Sequence, residues 1–150
     1  MNGSIGTSGA IDIDASDQPI RGINRAIRTA LAEGRRVTIT NPGARHNLAV
    51  ALLTPGDVRI DGSVGYYCGG MGDGPQIEVQ GSAGWGAAEG LLSGTVIVDH
   101  NAGNGAAAAI RGGTIVVRGT PDEVINHPYV IESYLGTGGV ANQRSGVVAS

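Results

Sequence analysis

Phenylalanine is absent from this 150-residue chain, and aromatic residues make up only 3% of it. The core cannot be built on large rings and must come from Val, Ile, Leu and Ala. Cysteine occurs once, as Cys68, which excludes a disulfide framework within the chain. No run approaches the roughly 20 apolar residues of a membrane-spanning helix. Met1 to Gly9 is Gly/Ser-rich and uncharged, so no signal-peptide pattern is present. An excess of positive charge is missing too: the net charge is −3 at pH 7, unlike the basic footprint of a nucleic-acid binder. These absences lead to the expectation of a cytoplasmic protein with neither membrane nor nucleic acid as partner.

Glycine is abundant instead. The 27 glycines are more than twice the usual share, which is about 7%. They belong to a repeat. The apolar pairs Val58-x-Ile60, Ile77-x-Val79, Val96-x-Val98 and Ile115-x-Val117 follow one another at steps of 19 residues without insertion. Gly65, Gly84 and Gly103 keep the same step, as do Val64, Ala83 and Ala102, and Gly62, Gly81, His100 and Gly119. A fixed period near 20 residues is the signature of stacked coils, none of which can bury its apolar face alone. No amphipathic helix fits between successive strands, which excludes βαβ units. Antiparallel hairpins would not keep one register over successive steps. Parallel coils do, and the glycines suit their sharp corners and their close approach at those corners.

Before the repeats, residues 18–33 read as a helix. Asp17 is placed to cap it and Pro19 suits its first turn. Ile20, Ile23, Ile27, Ala30 and Leu31 share one face, and Gly34 permits the left-handed stop. Arg21, Arg25 and Arg28 face away, either as a solvated surface or as a contact for an acidic partner subunit. Residues 1–15 read as flexible, with the alternation Ile11-Asp12-Ile13-Asp14 suited to a short edge strand. Val37-Thr38-Ile39-Thr40 is a strand that Asn41-Pro42-Gly43 breaks. Leu48 to Leu53 reads as the opposite wall of a first, slightly longer coil. Thr120-Pro121-Asp122-Glu123 opens a helix with a capping box. Pro128 breaks it and Gly136 stops a second short one. Residues 120–136 are therefore expected as a helical cap over an otherwise open solenoid end, and 137–150 as a disordered tail. The β-helix domain itself is expected over 16–119.

No catalytic constellation emerges, so no catalytic, cofactor-binding or metal-binding residue is assigned. Gly84-Trp85-Gly86 and Gly103-Asn104-Gly105 do not continue into a phosphate-binding motif. His46, His100 and His127 lack metal-ligand spacing to one another or to Cys68, and His100 takes a glycine column, as on an exposed corner. Asp73 and Glu89 have no reason to meet. Tyr66 and Trp85 share a column and should stack on successive coils, as a structural ladder or as an interface anchor. Cys68 shares a column with Ala87 and Ala106, so it packs as a small apolar residue or touches a buried subunit interface. The possible interface set is Tyr66, Tyr67, Cys68 and Trp85.

The strings Gly62-Ser63-Val64-Gly65-Tyr66-Tyr67-Cys68-Gly69-Gly70-Met71, Gly81-Ser82-Ala83-Gly84 and Ser93-Gly94-Thr95-Val96-Ile97-Val98 resemble the GXGXG domain of glutamate synthase. The match is nearest to its separate-subunit form in glutamate-synthase-like and N-methylglutamate synthase complexes. The resemblance runs from about Asp17 to Thr120 and extends to the formylmethanofuran dehydrogenase component of the same domain type. It implies an all-β fold, a right-handed single-stranded parallel β-helix with 19-residue coils, an N-terminal capping helix and a short helical C-terminal tail. It also implies a non-catalytic scaffold bridging a class II amidotransferase-like subunit and an FMN-binding glutamate-synthase-like subunit. FMN and iron–sulfur clusters would then sit on the partners, with none on this chain. A self-associating structural module, forming a homo-oligomer, is the alternative. Family members continue through more coils, whereas here the repeat stops after Gly119. Val116 to Gly136 instead resembles the C-terminal tail of branched-chain amino-acid ABC-transporter ATPases, without any ATP-binding motif.

Overall fold

The computed structural model describes residues 9–119. The readings for 1–8, 120–136 and 137–150, and for His127, lie outside them. Six strands are present: β1 (Ala10–Asp14), β2 (Arg36–Thr40), β3 (Gly56–Asp61), β4 (Asp73–Val79), β5 (Ser93–Val98) and β6 (Thr114–Val117). They form one sheet in chain order with every neighbouring pair parallel. The chain is thus an all-β parallel solenoid, one strand per coil. Paired positions step from Ile11 to Val37, Val58, Ile77, Val96 and Ile115, that is by 26, 21 and then three times 19 residues. The 19-residue period is the sheet register itself.

Alternation sets the inward face of each strand. Val37 and Ile39, Val58 and Ile60, Ile77 and Val79, Val96 and Val98, and Ile115 and Val117 are all buried. Stacked one above another, they stabilise the coils by roughly 1.5–3 kcal/mol each. The outward positions are polar: Arg59 pairs with Asp61, and Arg118 with Asp99 and Glu78.

The stretch read as flexible is shorter than expected. Residues 10–14 are β1, because Ile13 is buried on the core and the backbone pairs with β2 from Ala10 to Asp14. Helix α1 (Ile20–Ala32) fills the long first step. Asp17 does not cap it. Pro19 is the N-cap, no side chain bonds there, and Asp17 sits in a left-handed turn at φ 59°, too far from Ile20 to reach its amides. The end is as read. Gly34, at φ 78°, donates to Leu31 O at 2.9 Å, and Arg35 donates to Ala30 O at 3.0 Å, a Schellman stop.

The segments between strands form a second wall with its own ladder. Val64, Ala83 and Ala102 pair in parallel. Beyond them every second residue has positive φ: Asn47, Ala49 and Ala51; Tyr67, Gly69 and Met71; Gly86, Ala88 and Gly90; Gly105, Ala107 and Ala109. Their amides point alternately to the next and the previous coil. Tyr67 donates to Trp85 O and Met71 to Glu89 O, both at 2.8 Å, while Ala88 donates back to Cys68 O and Ala107 to Ala87 O, also at 2.8 Å. These bonds hold alanines in a conformation that is ordinarily unfavourable by about 1–2 kcal/mol per residue.

Helix α1 closes the first end of this ladder. Asn24 is the one buried polar residue among the described residues. Its Nδ2 donates to Asn47 O at 2.9 Å, and its Oδ1 accepts the Ala49 amide at 2.7 Å. Ile23, Ile27, Ala30 and Leu31 are buried beside it.

Candidate interaction surface

The large apolar side chains left exposed among the described residues are Leu53, Tyr66, Tyr67, Met71, Trp85 and Leu92. All lie between strands. The outer face of the sheet has none, and its surface is occupied by the pairs of Arg59 and Arg118 with their carboxylates. The turn wall is therefore the apolar exterior.

Its centre is a column of rings. Trp85 lies on Tyr66 with centroids 5.3 Å apart and 10° between planes. Tyr66 lies on His46 at 4.3 Å and 22°, and Tyr67 meets Tyr66 edge-on at 6.3 Å. The Tyr66 amide also donates to His46 Nδ1 at 2.8 Å. The stacking of Tyr66 and Trp85 follows from their shared column. The third member, His46, was not legible: the first coil has one extra residue on each side of it, so a strict 19-residue step aligns Asn47 with Tyr66.

The glycine column beside the rings has a steric cause. A Cβ at Gly65 would fall 2.3 Å from His46 Nδ1, one at Gly84 2.9 Å from Tyr66 Cδ1, and one at Gly103 2.7 Å from Trp85 Cδ1. None of these three has a positive φ. They are glycines because the ring of the preceding coil lies across them, so close approach and not chain reversal selects the residue.

Tyr66, Tyr67 and Trp85 are 39%, 45% and 56% exposed, which suits an interface anchor. Cys68 does not join them. Its side chain points into the coil and is 0% exposed, in line with Ala87 and Ala106. Burial in apolar surroundings pushes its thiol up to about 12, so Cys68 is core and not contact surface. Arg21, Arg25 and Arg28 are exposed, as is His100. Asp73 accepts the Ser93 hydroxyl at 2.7 Å, and Glu89 lies elsewhere, beside Gly86. The two G-x-G strings occupy equivalent places on successive coils, with Gly86 at φ 75° and Gly105 at φ 79°, as parts of the turn ladder.

A cleft of about 390 Å³ crosses the outer face of the sheet over Thr38, Arg59, Gln76 and Glu78, with no nucleophile among them. Among the described residues no His, Cys, Asp or Glu groups gather as a metal site. No described helix is long and apolar enough to cross a membrane.

The chain is 40% identical over 88 residues to Protein GlxC of Rhizobium meliloti (strain 1021). The alignment takes 57% of this chain and 39% of that protein, so the chain spans well under half the length of the relative it matches. No solved structure gives a significant match. Residues 115–140 match a family model described as branched-chain amino acid ATP-binding cassette transporter. That match starts inside β6 and continues mainly outside the described residues, on the segment that resembles a transporter ATPase tail.

Proposed function

We propose that this chain is a non-catalytic scaffold subunit of a glutamate-synthase-like complex, bridging an amidotransferase-like chain and an FMN-binding synthase-like chain. One observation carries the reading. The exposed large apolar side chains gather on a hydrogen-bonded wall, with Tyr66, Tyr67 and Trp85 at its centre, while the sheet face is polar. A wall held by bonds between every coil presents its rings with little freedom left to lose on docking, which favours affinity. Tyr and Trp are the side chains that most often anchor such interfaces. The likeness to Protein GlxC and the resemblance of residues 62–98 to the GXGXG domain supply the kind of complex. The chemistry of glutamine hydrolysis and imine reduction would belong to the partners, with FMN and iron–sulfur clusters there.

Affinity purification of the tagged chain from its native source tests this. A complex carrying flavin absorbance and glutaminase activity is expected. A homo-oligomer without either supports the self-associating module instead, and a formylmethanofuran dehydrogenase-like set of partners supports that relative.

A further inference from the structure

We infer that the cleft between Tyr67, Trp85 and Glu89 receives a cationic side chain, arginine or lysine, from the partner docked on the turn wall. The inference rests on that reading of the wall. The cleft holds about 240 Å³ and is lined by Tyr67, Trp85, Gly86, Glu89, Asn104 and Gly105. Two aromatic rings and a carboxylate meet in it, and no basic residue of the chain does. Gly86 brings them together. A Cβ there would lie 2.5 Å from Tyr67 Cδ1 and 3.1 Å from Glu89 Oε1, so any other residue would push the ring and the carboxylate apart. The left-handed φ of 75° at Gly86 also favours glycine.

Glu89 takes part in none of the ion pairs among the described residues, although its backbone carbonyl is used by Met71. A carboxylate outside any ion pair, beside two half-exposed rings, is a receptor for an ammonium or guanidinium group. The rings attract the cation by their quadrupole and the carboxylate adds a charge-assisted hydrogen bond. The cleft is too small and open to enclose a free ligand, since small-molecule sites take about 300–1,000 Å³ and bury most of the ligand. A side chain carried on a partner surface meets no such requirement.

Trp85 is the single tryptophan of the chain, so intrinsic fluorescence reports this cleft alone. The full chain is titrated with N-acetyl-arginine amide, N-acetyl-lysine amide, the neutral N-acetyl-citrulline amide and methylammonium. A saturable response to the arginine or lysine probe, with none to citrulline, is expected. Glu89→Gln and Tyr67→Leu should each weaken it by at least about two- to five-fold, as expected for a partly exposed cation–π contact. Glu78→Gln, on the sheet face, should leave it unchanged. Circular dichroism confirms that each variant is folded.

No saturable response, an equal response to citrulline, or wild-type binding by Glu89→Gln overturns the inference. Tighter binding of methylammonium than of both capped amino acids overturns the partner side chain as occupant. Failure of this titration leaves the docking role of the wall standing, because a purely apolar contact gives no cation response. Failure of the purification leaves the cleft standing.

Discussion

Asn24 Oδ1 accepts the Ala49 amide at 2.7 Å, in the place where Gly69, Ala88 and Ala107 each find a backbone carbonyl of the coil before. A side-chain amide thus stands in for a peptide group that has no coil to supply it. Asn24→Leu removes the acceptor and leaves a buried amide without a partner. Stability should fall by about 1–3 kcal/mol, read as a lower midpoint in urea with an unchanged slope. A midpoint within error of wild type would mean that the helix does not close the ladder.

Two glycine-to-alanine changes should have opposite signs. At Gly84 the new methyl would meet Tyr66 Cδ1 and the Gly65 backbone, both at 2.9 Å. The ring must move, at a cost of about 1–3 kcal/mol, with a changed near-ultraviolet circular dichroism spectrum. At Gly22, in α1, the methyl would meet only Pro19 Cγ at 3.9 Å. Gly22→Ala should stabilise by about 0.4–1 kcal/mol. Thermal melts of the two variants check both, and equal shifts would contradict the packing described.

Ile77 and Glu78 are neighbours on β4 facing opposite ways. Ile77 is 1% exposed, so Ile77→Asp buries an unpaired charge at a cost of several kcal/mol and should unfold the domain. Glu78 pairs with Arg118 at 3.7 Å, with both side chains more than a third exposed. Glu78→Ala should therefore change stability by less than about 0.5 kcal/mol. Equal effects in chemical denaturation would reverse the assigned inward face.

Cys68 should be silent toward thiol reagents at pH 8 until the protein unfolds, because its thiol is buried and held neutral. Its folded-state pKa is raised from 9.0 to about 12. The stability this shift contributes is fully present below the unfolded value and is lost as pH rises from about 9 toward 12. Cys68→Ala, the residue found at columns 87 and 106, should remove that part of the alkaline slope. Denaturant midpoints of wild type and variant against pH, running parallel, would contradict it.

Much of the fold was legible because a parallel solenoid writes its register into the chain. Val58, Ile77, Val96 and Ile115 stand 19 apart in sequence and opposite one another in the sheet. The pairing of Tyr66 with Trp85 followed from the same step. What escaped has identifiable causes. His46 lies in the coil with two extra residues, which moves it out of its column. Asn24 reads as one polar residue on a helix, and its role exists only because Ala49 has no earlier coil to bond. Cys68 sits between exposed and buried neighbours, and only the alternating turn conformation shows that it points inward. The convergence of Tyr67 and Glu89 depends on the missing side chain of Gly86, which sequence spacing does not express. For Asp17, helix-start chemistry gave the wrong residue because a left-handed turn intervenes before Pro19.

Hydrogen–deuterium exchange on the purified chain, alone and in its native assembly, tests most directly whether the turn wall is the docking face. New protection is expected over Tyr66–Met71 and Gly84–Glu89, with the outer sheet positions around Arg59 and Glu78 exchanging as they do in the free chain. Protection confined to the sheet face, or none on assembly, would contradict the assignment.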